Sequence, residues 1–289
     1  MKKYLNISIF ILITLLFSSF YITDIIAASK IKVSVSVAPQ AYFVERIGGE
    51  KVKTQVMIPT GVSPATYDPT PRQMVMLSKS RIYVKVGVPS FPFEKKHLKS
   101  ILEKNKRMIV VDMSKGINCR FLDSEKNIKD PHIWLSPSNV KIASKNIYNA
   151  LIRLDPANKE YYKNNLDHFL DDINKLDKKI IKLLSGKKGF TFMVFHPAWG
   201  YFAEEYGIKQ LPIEVEGKSP SASRIKKMID IAKKKGIKII FVQKGFDTKN
   251  ARAIAEDIGG KVYEIDPLAK DWLKNMEDVA KIISKALKR

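Results

Sequence analysis

Two periodicities alternate along this chain. Short β-branched runs of strand length, Ile31 to Val37, Val52 to Ile58, Ile82 to Val86 and Met108 to Val111, are separated by stretches whose apolar residues recur every three or four positions, such as Ala41 to Ile47 closed by Gly48-Gly49. The alternation returns with Thr191 to Phe195, Gln210 to Glu214, Ile237 to Val242 and Lys261 to Ile265. Strands that alternate with helices predict parallel sheets with helical crossovers. The expected class is therefore α/β, with two lobes that each hold a mainly four-stranded parallel sheet flanked by helices. Between the two sets lies the strongest helical pattern in the chain, Asn158 to Ser185. There Tyr162, Leu166, Phe169, Ile173, Leu176, Ile180 and Leu183 form one stripe, and Gly186 stands where a left-handed cap belongs. At 1.5 Å per residue such a helix runs about 40 Å, enough to join two lobes as a rigid connector that restricts hinge closure. The expected boundaries are 30–157 for the first lobe, 158–185 for the connecting helix and 186–289 for the second lobe. Within the second lobe, Ser219-Pro220 reads as an N-cap and first helical residue opening a helix to Gly236. Trp272, Leu273, Met276, Val279, Ile283 and Leu287 form the core stripe of a final helix.

The first 29 residues follow a different pattern. Lys2 and Lys3 precede an apolar stretch from Tyr4 to Phe20, followed by Ala27, Ala28 and Ser29, the order of a cleavable secretory signal peptide. No cysteine follows this leader, so a lipoprotein anchor is not expected, and the mature chain is read as a periplasmic or extracytoplasmic monomer. Of the 289 residues only Cys119 is a cysteine, which excludes a disulfide framework and any cysteine-rich metal centre. A metal site here has to be built from histidine and carboxylate. The formal charge of +22 comes from 51 Lys and Arg against 29 Asp and Glu, and only nine of the basic residues are Arg. Lysine scattered over nearly every polar face is a solvated, basic surface near anionic partners rather than the Arg-rich patch of nucleic-acid recognition, and no nucleic acid is expected.

Four histidines allow each to be weighed. His97 in a Lys-rich helix and His168 beside Asp167 read as exposed surface residues. His132 in Asp130-Pro131-His132 and His196 in Phe195-His196-Pro197 stand in loops, the latter directly after a strand. Asp266-Pro267 also directly follows a strand, which places His196 and Asp266 at the same carboxyl edge of the second sheet, where α/β folds hold ligands. Two imidazoles and a carboxylate suit zinc, with manganese and iron as the other cations such a set accepts. Taken singly, each of these residues is more often a loop-stabilising hydrogen-bond partner than a ligand.

The motifs Pro64-Ala65-Thr66-Tyr67-Asp68-Pro69, Asp130-Pro131-His132-Ile133-Trp134-Leu135, Phe195-His196-Pro197-Ala198-Trp199-Gly200, Glu216-Gly217-Lys218-Ser219-Pro220 and Ile265-Asp266-Pro267-Leu268 occur in one order along the mature chain. In this the sequence resembles the periplasmic metal-binding receptors of zinc and manganese ABC importers, over nearly all of its mature length. The resemblance implies two α/β lobes joined by one long helix, a divalent metal between them, and delivery to an ABC permease and its ATPase. It carries metal ligation onto His132, His196 and Asp266, with a histidine at 196 as in the zinc-type members. The family's first ligand, a histidine, falls on Ala65, which ligates nothing. Three outcomes stay open at this point: three protein ligands completed by water or by a bidentate Asp266, a substitute oxygen from Asp68, Tyr67 or Glu216 with His97 more remote, or a changed ligand on a retained scaffold.

Two other functions compete. An adhesin or envelope-binding protein on the same scaffold would use the basic surface and leave the cleft without metal. A zinc hydrolase would use the open coordination position, with Glu216 or Asp68 as base, yet HExxH, GxSxG and Gly-rich phosphate motifs are absent from the sequence. The chain is therefore read as a receptor and not as an enzyme.

Overall fold

In the computed structural model the described residues are 30–123, 125–214, 220–244 and 248–287. The first sheet contains β1 (Ile31–Val35), β2 (Val52–Val56), β3 (Ile82–Lys85) and β4 (Ile109–Asp112), in the order β2-β1-β3-β4. Its helices are α1 (Ala38–Gly48), α2 (Pro71–Ser78) and α3 (Pro92–Lys104). Segment 116–129 contains a short antiparallel hairpin of β5 (Phe121–Asp123) and β6 (Ile128–Lys129). Then come α4 (Pro137–Leu154) and the long α5 (Lys159–Leu183).

The second sheet repeats the topology of the first. Strands β7 (Thr191–Val194), β8 (Lys209–Pro212), β9 (Ile239–Gln243) and β10 (Lys261–Ile265) lie in the order β10-β9-β7-β8, and every pairing in both four-stranded sheets is parallel. They are connected and covered by α6 (Gly200–Glu205), α7 (Ala222–Lys235), α8 (Lys249–Asp257) and α9 (Trp272–Ala286). In each sheet the chain builds outward on one side of its first strand and then crosses to the other. Strand order therefore reverses beside β1 and beside β7, and the loop after β7 opens at a switch point of the kind where α/β sheets take ligands.

All eight strands of these sheets start and end within two residues of their expected limits, because all but β8 are β-branched runs bounded by turn residues. Helix starts differ more: α1 begins at Ala38, three residues before Ala41. The cap of α7 is Ser221, whose Oγ accepts from the Arg224 N–H, while Ser219 lies outside the described residues. The end of α7 is as expected: Lys233 to Lys235 form its last turn, and Gly236 adopts the left-handed conformation that a side chain would strain.

The stripe on α5 explains what joins the sheets. Tyr162, Leu166, Phe169, Ile173, Leu176 and Ile180 are all buried, and α5 packs along α1, α4 and α9. Phe169 sits 6.0 Å from the Phe43 ring, and the Arg46 guanidinium lies 4.8 Å above Phe169 while pairing with Asp172 at 2.7 Å. Phe43 in turn meets Trp272 of α9 edge-on at 5.4 Å. The hydrophobic core is continuous through these contacts, running from Val33 and Val84 of the first sheet through Phe169 to Phe192 and Ile265 of the second. The outer face of the second sheet has its own smaller core around Met228, Ile240 and Ile254. Truncating Phe169 to Ala removes a ring from the middle of the shared core, so urea denaturation should show a loss of about 3–5 kcal/mol. A loss below about 1 kcal/mol would mean that α5 is not a structural keystone.

Candidate functional site

His132 and His196 meet. Their Nε2 atoms are 3.3 Å apart and the rings are nearly perpendicular, with centroids at 5.2 Å. His132 follows β6 and opens a buried single turn, Ile133–Leu135, that leads to the Ser136 cap of α4. His196 lies two residues past the end of β7.

Each ring is backed by a carboxylate. His132 Nδ1 is 2.7 Å from Asp130 Oδ1, and the His132 backbone N–H donates to the same oxygen at 3.0 Å, so the Asp-Pro-His sequence closes on itself as an Asx turn. His196 Nδ1 is 3.1 Å from Glu214 Oε1. The sheet explains the second pair: Val194 is in register with Pro212, so residues two positions beyond each strand end, 196 and 214, emerge side by side.

These partners assign the protons. A carboxylate only accepts, so each neutral ring carries its hydrogen on Nδ1 and presents an Nε2 lone pair. With both rings neutral, two lone pairs face each other at 3.3 Å. Such a contact is repulsive until a cation sits at its apex. Two imidazole nitrogens on one tetrahedral zinc at Zn–N of about 2.0–2.1 Å are about 3.3–3.4 Å apart, which is the spacing observed here.

Electrostatics favour a neutral His132. Burial lowers His132, aided by the neighbouring charges of His196 and Arg120, and together these outweigh the opposing effect of Asp130, which favours the neutral ring. Burial alone would raise the Asp130 carboxyl, but His132 and the Arg120 guanidinium more than offset it and hold the group below its ordinary value. Arg120 Nη1 donates to Asp130 Oδ2 at 2.5 Å and Nε to Glu204 Oε2 at 3.2 Å. Gly200 makes this possible, since a Cβ there would come within 1.9 Å of Arg120 Nη1.

Asp266 stands just past β10, two strands from β7 in the sheet. Its Oδ1 accepts from the Leu268 N–H at 2.8 Å, and burial raises its carboxyl, only partly offset by that bond and by Lys244. Among the described residues no three His, Cys, Asp or Glu side chains already converge as a metal-holding group. The backbone that carries Asp266 is nonetheless tied to both histidines. Pro267 lines the same small crevice as His196 and Gln243, and its carbonyl accepts from Trp134 Nε1 at 2.7 Å. The Trp134 ring lies 5.5 Å from the His132 ring, and the Trp134 carbonyl accepts from Trp272 Nε1 at 2.7 Å.

The candidate substitute donors are otherwise engaged. The Tyr67 hydroxyl donates to Gln73 Oε1 at 2.6 Å, and the exposed Asp68 pairs with Lys96 at 2.6 Å. Ala65 is exposed in the loop after β2, and Glu216 lies outside the described residues. His97 corrects an expectation. It is not an exposed surface residue, because its side chain is only 15% exposed, packed 5.0 Å from the Phe93 ring and 2.9 Å from Asp68 Oδ1. Helix α3 turns that face inward, which its run of lysines concealed.

Replacing Asp130 by Asn removes the anion that orients His132 and neutralises Arg120. Zinc affinity, measured by competition with a chromophoric chelator, should fall about 10–100-fold in a chain whose circular dichroism is unchanged. Unaltered affinity would show that the carboxylate does not set the ring. The same two shifts predict sensitivity to acid. A depressed His132 contributes stability that declines as pH falls below about 6.5, and a depressed Asp130 contributes stability that declines below about 3.9.

Comparison with known proteins places the whole chain. The family model ZnuA, zinc-uptake complex component A periplasmic, matches residues 33–286. The high-affinity zinc uptake system protein ZnuA of Bacillus subtilis (strain 168) is 29% identical over 259 residues, covering 83% of this chain and 79% of its own length. The manganese ABC transporter substrate-binding lipoprotein PsaA of Streptococcus anginosus is 26% identical over 254 residues, covering 83% of this chain and 81% of its own. Among solved structures, a crystal structure of ZnuA has a TM-score of 0.86 at 40% identity and covers 90% of this chain and 100% of that one.

Proposed function

Since the chain belongs to the family of periplasmic zinc-uptake complex component A, we propose that it is an extracytoplasmic receptor that captures a divalent cation, zinc before manganese or iron, and hands it to an ABC permease and its ATPase. The observation that carries this reading is the 3.3 Å approach of the two Nε2 atoms, each ring backed on Nδ1 by its own carboxylate. The metal is cargo, and the family is one of transport receptors, not of enzymes.

In this proposal His132 and His196 are the first two ligands and Asp266 is the third. Turning the Asp266 carboxylate from the Leu268 N–H toward the imidazoles costs about 1 kcal/mol for the hydrogen bond given up. A dication repays that readily. The loop is already held beside the histidines through Pro267 and Trp134. With Ala65 where the family resemblance implies a histidine ligand, the last position falls to water or to the second oxygen of Asp266. A site of this kind binds more loosely than a closed four-ligand cage, which suits a receptor that has to release its cargo. Paired imidazoles favour zinc over manganese, in line with the general order of divalent affinities.

Localisation follows from the same reading. Residues 1–29 serve as the signal peptide, no cysteine stands after them for lipid attachment, and among the described residues no helix is long and apolar enough to cross a membrane.

Zinc titration of the purified chain, of H132A, H196A and D266A, and of Ala65→His tests the proposal. One zinc per wild-type chain is expected, with affinity reduced at least about 100-fold by either histidine substitution and tightened when histidine is restored at 65. Equal zinc affinity in wild type and H132A would overturn it, and an Ala65→His variant no tighter than wild type would overturn the placement of the fourth position.

A further inference from the structure

A groove on the described surface lies away from the histidines. It has a volume of about 250 Å³ and is bounded by β1, β2 and α2, with Lys32, Lys53 and Lys79 at its rim and Val33 and Met76 among its walls. Its charge is unusual in kind. Lys32 and Lys53 are directly paired in the parallel register of β1 and β2, so their side chains leave the same face of the sheet one strand spacing apart, about 4.8 Å. Like charges placed directly opposite destabilise a sheet. Neither lysine, nor Lys79 at the end of α2, has a carboxylate partner among the ion pairs of the described residues.

Protection of the sheet edge explains only part of this. Lys53 is on the edge strand β2, where a charge discourages pairing with another chain. Lys32 is on β1, an interior strand, and gains nothing from that role. An anion that neutralises both lysines accounts for the pair. Beside them α2 presents Val75 and Met76, 56% and 44% exposed, with Arg72 exposed on the same short helix. Protruding apolar side chains ringed by cations, over a carbon-walled groove, match a surface of lipid headgroups and acyl chains better than they match a small soluble anion. The net charge of +22 adds long-range attraction of the same sign.

We propose that this face docks on the surface of a bilayer rich in anionic lipid. Headgroup phosphates neutralise Lys32, Lys53 and Lys79, while Val75 and Met76 enter the interface. The three lysines lie toward the amino-terminal ends of β1 and β2 and the start of β3, whereas the loop bearing Ala65 follows the carboxyl end of β2. Docking here therefore leaves that loop at the opposite edge of the sheet. The function is one of tethering, holding the protein at the membrane without using the histidines.

The test is sedimentation of the mature chain with vesicles of equal parts phosphatidylglycerol and phosphatidylcholine, and with phosphatidylcholine alone. Each basic residue at an anionic leaflet strengthens partition about fivefold, so the triple variant K32Q/K53Q/K79Q should bind the mixed vesicles about 100-fold more weakly. A control triple, K226Q/K227Q/K234Q, removes the same charge from the exposed face of α7 and should lose less than about fivefold. Unchanged zinc titration in both variants verifies that they are folded. Equal losses in the two triples would reduce the effect to bulk charge and overturn the proposal. So would absence of binding to the mixed vesicles. Saturable binding of inorganic phosphate at the groove, seen by phosphorus NMR without vesicle binding, would replace the membrane with a free anion.

Discussion

Two imidazole lone pairs aimed at each other across 3.3 Å are the constraint on which the rest of the site depends. Left to themselves the rings would rotate apart, and the fold prevents it at both ends. Asp130 is closed onto His132 by its own turn and is held in turn by Arg120, which reaches it only because Gly200 has no side chain. Glu214 is fixed against His196 by the parallel register of β7 and β8. Because both carboxylates take the Nδ1 hydrogens, the pair offers a cation two donors already oriented, and the cost of ordering them has been met by folding.

The surrounding architecture keeps that arrangement from drifting. A single apolar core runs from the first sheet through α5 to the inner face of the second, so wide separation of the sheets would expose buried surface on both. The two tryptophan N–H bonds, Trp134 to Pro267 and Trp272 to Trp134, stitch the loop of His132 to the segment that bears Asp266. Tyr201 adds another link by donating to the Asp130 carbonyl at 3.0 Å. In such a frame cargo exchange is a matter of local loop and side-chain movement. In the proposed site the Asp266 carboxylate, with one modest backbone bond to give up, is the donor best placed to move.

The sheets and the long helix were legible in the sequence because their signals are local: β-branched runs between turns, and an apolar stripe on α5 that all faces one core. The two histidines were legible for a related reason, since each stands beside proline in a loop next to a strand or hairpin. What escaped notice depends on distance along the chain. Glu214 reads as the last residue of a strand until the pairing of Val194 with Pro212 brings it beside His196. Arg120 stands in a segment that reads as loop, and nothing local announces that it braces Asp130. Asp130 was the exception, because Asp-Pro-His within one turn is a local arrangement whose consequence for the ring could have been drawn. His97 misled in the opposite direction: the lysines beside it suggested an exposed face, whereas its ring packs on Phe93.

The account stands on imidazole ligation at one shared cation, and X-ray absorption at the zinc edge of the zinc-loaded protein addresses it most directly. The spectrum should show two imidazole nitrogens at about 2.0–2.1 Å, with the multiple scattering of ordered rings and the remaining positions filled by oxygen. A coordination shell of oxygen alone, without imidazole scattering, would contradict it.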